Sequence, residues 1–197
     1  MIRARRSHLA LLATLTLAGC TLLSGPRTEP TRFYVLTATP SAPGMSPLRL
    51  GLGPVRFPGY LDRPQFAVRA DANRVSYLEG ARWAEPLKDN FEHVLGSDLA
   101  TLLGTDRVIR FPWYRNAAIT YSIAIEVSRF EIQPDHQVAL VARWTLRDGK
   151  SGDAIAADLA DLHRPASTPD EAAAALSALT ADLAQQIAAA VAAQRSR

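Results

Sequence analysis

Few side chains in this sequence have the types and spacing that chemistry needs. His93, His136 and His163 fall on a helical stretch, a turn and a strand end, too scattered to hold a metal ion or to pass a proton between them. Asp89 and Glu92 stand at helical spacing and read as the solvated face of a helix, while Asp158 and Asp161 read as the polar edge of a strand. No two carboxylates can be placed facing one another, as general acid–base work requires. A phosphate loop, a dinucleotide fingerprint, a nucleophile elbow and a zinc-helix motif are all missing from the sequence. The expectation is a protein without catalytic residues, metal or cofactor.

One short stretch does carry a reaction. Leu17-Ala18-Gly19-Cys20 follows a basic start (Arg3, Arg5, Arg6) and an apolar run from Leu9 to Ala18, so residues 1–19 read as a secretory signal with small residues at its cut site. The four residues look like a bacterial lipobox, in which the cysteine thiol takes a diacylglycerol, the signal is removed and the freed amine is acylated, with palmitate the expected chain. The alternatives are an ordinary signal peptide with an incidental cysteine, or an uncleaved anchor. Against the second, the apolar run is far shorter than the roughly 20 residues of a spanning helix; against the first, the only cysteine in the chain occupies the one position the lipobox requires. Thr21 stands where many Gram-negative bacteria read an aspartate as an inner-membrane retention signal, so the expected address is the outer membrane. Two or more acyl chains hold stably where one holds marginally, so the mature protein is anchored rather than spanning.

Removal of residues 1–19 leaves 178 residues, a length suited to one domain with a real core. The formal charge of +3 disappears with the signal, which carries three arginines and no acids. A neutral mature chain without a polybasic run lacks the footprint of a nucleic-acid binder. With Cys20 modified, no disulfide or thiolate metal site remains, and stability must come from packing. Residues 20–31 read as a tether: beyond Leu23 the stretch is poor in core-forming residues and holds Pro26 and Pro30, with a typical reach of about 20 Å. The domain is then 32–197.

Within it, Phe33 to Leu36 is rich in strand formers and ends before Pro40 and the Pro43-Gly44 turn; Leu48 to Val55 alternates as a second strand. Phe57 to Gln65 is a loop with Pro58, Gly59 and Pro64, leading to a strand at Phe66 to Ala70 and a hairpin partner at Arg74 to Glu79. Arg82 to Pro86 reads as the opening of a helix, with Pro86 in the first turn and Leu87, Phe91, Val94, Leu95, Leu99, Leu102 and Leu103 as the core stripe before Gly104. After a short strand from Val108 to Phe111, Ile119 to Val127 alternates cleanly. Phe130 and Ile132 then break phase, as a β-bulge near Arg129 would make them. Val138 to Leu146 and Ala154 to His163 complete an antiparallel meander. Thr168-Pro169-Asp170-Glu171 is a capping box opening an alanine-rich helix with Leu176, Leu179, Leu183, Ile187 and Val191 on one stripe. Its alternative, lying on a membrane, finds little basic charge beyond Arg195 and Arg197. The fold class is α+β: a mainly antiparallel sheet with two long helices on one face.

The order of lipobox, FYVL strand, Tyr60-Leu61-Asp62-Arg63-Pro64-Gln65 loop, Arg82-Trp83-Ala84-Glu85-Pro86-Leu87 helix start and capped last helix resembles the ABC-type transport auxiliary lipoprotein family, from about Phe33 to Val191. Phe66-Ala67, where more β-branched residues are usual, and the weaker helix around Gly96 are small departures. The resemblance implies a non-enzymatic outer-membrane component of a system in which an inner-membrane ATPase and permease work with a mammalian-cell-entry-type periplasmic protein. Such systems move lipids or other hydrophobic molecules between the two membranes. The motif residues Tyr60, Leu61, Asp62, Arg63, Pro64, Arg82, Trp83 and Glu85 read in one of two ways, the first being a partner-binding surface in which the loop from Phe57 to Pro64, stiffened by Pro58, Gly59 and Pro64, presents Tyr60 and Leu61; a homo-oligomer is expected by analogy with ring-forming partners. The structural alternative has Asp62, Arg63, Arg82 and Glu85 pairing with one another while Tyr60 and Trp83 pack between helix and sheet. At the level of function, an assembly lipoprotein of another export system and an envelope hydrolase are the competing classes.

Overall fold

The strand with the cleanest alternation is the spine of the molecule. The computed structural model describes residues 30–39, 44–114 and 117–196; the signal, Cys20, most of the tether, Pro40 and Pro43 lie outside the described residues. Within them, β1 (Arg32–Tyr34), β2 (Leu50–Arg56), β3 (Gln65–Arg69), β4 (Val75–Trp83), β5 (Val108–Arg110), β6 (Tyr121–Ile132), β7 (Gln137–Asp148) and β8 (Ala154–Pro165) form one sheet. Strand β6 turns Ile123, Ile125 and Val127 into the core and leaves Glu126 and Ser128 exposed. Antiparallel β7 follows one edge of β6 throughout, and β8 follows β7 in the same sense. Pairing shifts between Val127 and Arg129, so Ser128 is the extra residue of the expected bulge and Phe130 returns to the core face.

The other edge of β6 is shared by two strands. β2 runs parallel to its first half, ending with Arg56 opposite Glu126, and β3 rejoins it at Val68 opposite Ile132. Between them the chain makes the excursion Phe57–Pro64. β4 folds back antiparallel on β3, β1 lies parallel outside β4, and β5 lies parallel outside β2. The longest ladders are antiparallel, and the fold is α+β as the periodicities require. The parallel pairs join strands distant in sequence.

Two helices, Leu87–Leu103 and Pro169–Arg195, pack against each other and cover one sheet face. The central helix buries Leu87, Phe91, Val94, Leu95, Leu99 and Leu103, but Leu102 falls off the expected stripe and is 46% exposed. Gly104, at φ 62°, ends it in the left-handed conformation that a side chain would strain. The C-terminal helix opens on the expected box: Thr168 Oγ1 accepts from the Glu171 N–H at 3.2 Å, and Glu171 accepts from the Thr168 N–H at 3.2 Å. By length and composition that helix could cross a membrane. Its stripe of Leu176, Leu179, Leu183, Ile187 and Val191 is instead buried on the sheet.

The helix start differs from the sequence reading. Arg82 and Trp83 are the last residues of β4, held extended by β1 alongside (Phe33 opposite Arg82, Tyr34 opposite Trp83), and the helix begins at Leu87 with Pro86 as its cap. Three buried polar side chains on the helices fasten the segment after β1. The Leu36 N–H donates to Asn90 at 2.6 Å, the Thr37 N–H to Ser177 at 3.2 Å and the Thr39 N–H to Asp98 at 2.7 Å. An irregular segment beside a core must find such partners for its backbone.

Candidate functional site

The excursion leaves the sheet where β6 bulges. Beyond Arg56 the chain curls into a 3-10 turn over Gly59–Leu61. A bulge disrupts the ladder and leaves backbone groups to be satisfied elsewhere, and here the Tyr60 hydroxyl donates to the Ser128 carbonyl at 3.2 Å. The Tyr60 carbonyl accepts from the Tyr77 hydroxyl at 2.9 Å. The Arg69 guanidinium lies 5.7 Å from the centre of the Tyr60 ring and donates to its hydroxyl at 3.4 Å. Arg69 also donates to Glu131 at 2.7 Å, and the Glu131 side chain is fully buried. Burial, aided by Glu131, pushes the Tyr60 pKa above its usual value, and the bond to Glu131 does the same for Arg69. The phenol stays neutral and the guanidinium charged.

The expectation that this loop presents Tyr60 and Leu61 is therefore corrected. Leu61 is 4% exposed, and Tyr60 is half-buried and tied at both hydroxyl and carbonyl. Three residues per turn send successive side chains in widely different directions, so the 3-10 turn can bury Leu61 while Asp62 and Arg63 remain exposed. Phe57 wedges beneath, its ring 5.2 Å from Phe91 and 6.1 Å from Phe130.

The second motif is stitched to the first. The Trp83 N–H donates to the Pro64 carbonyl at 2.6 Å, and its buried ring stacks on Phe66 at 4.2 Å. The pairing of Asp62, Arg63, Arg82 and Glu85 with one another does not occur. Arg63 lies over the Tyr77 ring at 5.8 Å, Glu85 accepts from Asn90 at 2.6 Å, and the buried Nε of Arg82 has no acceptor. Neighbouring strand residues face opposite sides, so β4 separates Arg82 from Trp83, whereas the helix-start reading had grouped them.

Together the two motifs line one open groove of about 740 Å³. Val55, Phe57, Leu61, Trp83, Pro86 and Leu87 supply apolar wall; Arg56, Asp62, Arg63, Glu85 and Lys88 supply polar groups. Lys88 is occupied by Glu92 at 2.7 Å, which leaves Glu92 less solvated than a free helix face. His93 and His136 are exposed, and His163 sits 2.8 Å from Asp161. Among the described residues no group of His, Cys, Asp or Glu side chains converges on a metal-sized site. The arrangement can hold an apolar group between charged rims.

Arg69, Glu131 and Asn90 shape this region and Asp98 holds the segment after β1, and the sequence reading passed over all four. Asn90 and Asp98 carried a signal: helical spacing puts both beside the apolar stripe, where a polar residue needs a partner. The Arg69–Glu131 pair carried none, since nothing local relates residues on β3 and β6.

The family model for the ABC-type transport auxiliary lipoprotein component matches residues 34–188. A solved structure described as an uncharacterised protein superposes with a TM-score of 0.67 at 20% identity, covering 83% of this chain and 99% of its own. A Xanthomonas campestris protein of family DUF330 superposes with a TM-score of 0.65 at 20% identity, covering 84% and 98%. These likenesses concern the fold. No curated protein matches the chain. Both groove-lining motifs fall within the matched span, and the chain belongs to the ABC-type transport auxiliary lipoprotein family.

Proposed function

We propose that this protein is a lipid-anchored periplasmic docking element on the outer membrane, serving a transporter whose periplasmic component is of the mammalian-cell-entry type and whose cargo is lipid or another hydrophobic molecule. Residues 1–19 are its signal, Cys20 its acylated terminus, 20–31 its tether and 32–197 its single domain; it works without catalysis and as a homo-oligomer. The observation that carries the docking role is that the two motifs, separated by a hairpin in sequence, line one groove with an apolar wall and charged rims. A rigid site of this kind limits the ordering cost of binding. Tyr60, Leu61 and Trp83 serve it by fixing its walls; Asp62, Arg63, Pro64 and Glu85 stand at its edge, where a partner can reach them.

Site-specific crosslinking in cells tests this. A photo-reactive amino acid at Asp62 or Lys88 should give an adduct with the mammalian-cell-entry-type protein, and the same group at Arg195 on the C-terminal helix should not. Adducts from Arg195 alone, or with no such partner from either groove position, would defeat the proposal.

A further inference from the structure

We infer that the groove continues onto the bare face of the sheet and that the whole trough receives an extended acidic segment of a partner protein, seated by an apolar end beside Trp83. This rests on the docking reading above and names the chemistry of what docks. Arg56, Phe57 and Pro58 line both the groove and an adjoining depression of about 590 Å³ that reaches Glu126, Arg143 and Leu159. Arg56, Glu126 and Arg143 also line a third depression of about 310 Å³ that ends at Thr145 and Arg147. Strand register places Arg56, Glu126, Arg143 and Leu159 side by side in one row across β2, β6, β7 and β8.

That row lies on the face away from the helices. The residues alternating with it, Val55, Ile125, Val127, Ala142 and Trp144, are the buried ones. Leu159 is 50% exposed. Arg56 and Arg143 are exposed, and among the described residues neither joins an ion pair. Arg147 donates to the Gly152 carbonyl at 3.1 Å, which leaves its charge unneutralised. Three arginines thus face one carboxylate, Glu126, in a chain whose mature net charge is zero, so this end of the trough is locally basic and suited to an acidic occupant.

Spacing favours a polypeptide over a lipid headgroup. Arg143 and Arg147 are four residues apart on one strand, about 13 Å, and Arg56 lies two strands from Arg143, about 10 Å. Backbone positions so spread suit a chain, since carboxylates on alternate residues of an extended segment recur about every 7 Å and can meet the arginines in turn, where one phosphate would have to draw all three side chains to a single point. An open trough would also leave one side of an acyl tail in water, which forfeits much of the gain from burying it.

The test uses the mature lipoprotein in detergent and a fluorescein-labelled peptide with a Trp-Pro-Leu head followed by alternating Glu and Ser. Fluorescence anisotropy should show saturable binding that weakens at least about tenfold when Gln replaces Glu in the peptide, and by a similar factor in the double variant Arg56→Glu with Arg143→Glu. Arg195→Glu should bind as the wild type does. Should the charge-reversed protein fail to fold, Arg56→Gln with Arg143→Gln carries the same expectation. Equal binding of the Glu and Gln peptides, or unchanged binding by the folded double variant, overturns the inference. So does displacement of the peptide by dihexanoyl phosphatidylglycerol but not by its choline analogue, which would assign the arginines to a lipid headgroup. If crosslinking captures the mammalian-cell-entry-type protein while the acidic peptide is ignored, the docking role stands and this inference falls. Peptide binding without that adduct removes the partner named above instead.

Discussion

Asp98 shows how a single buried group can report on the fold. It is 2% exposed, one carboxylate oxygen accepts the Thr39 N–H and the other has no partner. Burial raises its pKa above the ordinary 3.8, and the Thr39 bond only partly opposes this. The folded state therefore holds the proton more tightly than the unfolded chain does. Its stabilising contribution is complete below the unfolded value and is lost as pH rises through the folded one. At neutral pH the protein carries this carboxyl at a cost, which Asp98→Asn removes while keeping an acceptor for Thr39. Melting temperatures should show the variant gaining on the wild type between about pH 3.5 and pH 7. A gap that stays constant over that range would mean that the carboxyl does not titrate as its burial requires.

At the scale of elements, the junction between the Phe57–Pro64 excursion and the β6 bulge organises the site. The bulge offers the Ser128 carbonyl, Tyr60 takes it, and Arg69 and Glu131 hold Tyr60 from β3 and β6. The ion pair is buried, so removing one partner strands the other. Arg69→Ala should cost about 3–5 kcal/mol, whereas Tyr60→Phe loses the bond to the Ser128 carbonyl and the long one from Arg69 and should cost about 1–2 kcal/mol. Urea unfolding would compare them. Similar small losses from both variants would show that the loop is held by its apolar contacts, chiefly Phe57 and Leu61, rather than by the charged pair.

For the whole molecule, the proposed anchoring requires that a lipid-held segment hand over to the folded domain. Strand β1 follows the segment read as a tether, and the N–H groups of Leu36, Thr37 and Thr39 donate to Asn90, Ser177 and Asp98, which fastens these residues to both helices. Under the anchoring proposed above, a pull on residues 20–31 would be carried into the core rather than into a loose loop. Under the proposed anchoring, Cys20→Ser should lose metabolic labelling by a palmitate analogue and leave the outer-membrane fraction. Label retained in that variant would refute acylation at Cys20. Light scattering on the detergent-solubilised protein should give a mass of several copies, and a monomer at high concentration would count against the homo-oligomer.

Most local structure was legible because local burial writes a period into the chain. Alternation from Ile119 to Val127 marked β6, its phase break marked the bulge at Ser128, and Thr168 with Glu171 marked a helix start that the structure reproduces. The family was legible from motifs whose order survives along the chain, and the matched span agrees. Tertiary structure decided what no period encodes: which distant strand lies beside which edge. β1 beside β4 keeps Arg82 and Trp83 extended and moves the helix start to Leu87. The division of one β6 edge between β2 and β3 creates the gap that Tyr60 fills, and the 3-10 turn within it buries Leu61. The same topology brings Arg69 to Glu131 and aligns Arg56 with Arg143 across Glu126. Charges far apart in sequence meet or miss one another only once the strands have chosen their neighbours, so the four motif residues whose mutual pairing was one of two readings find other partners or none.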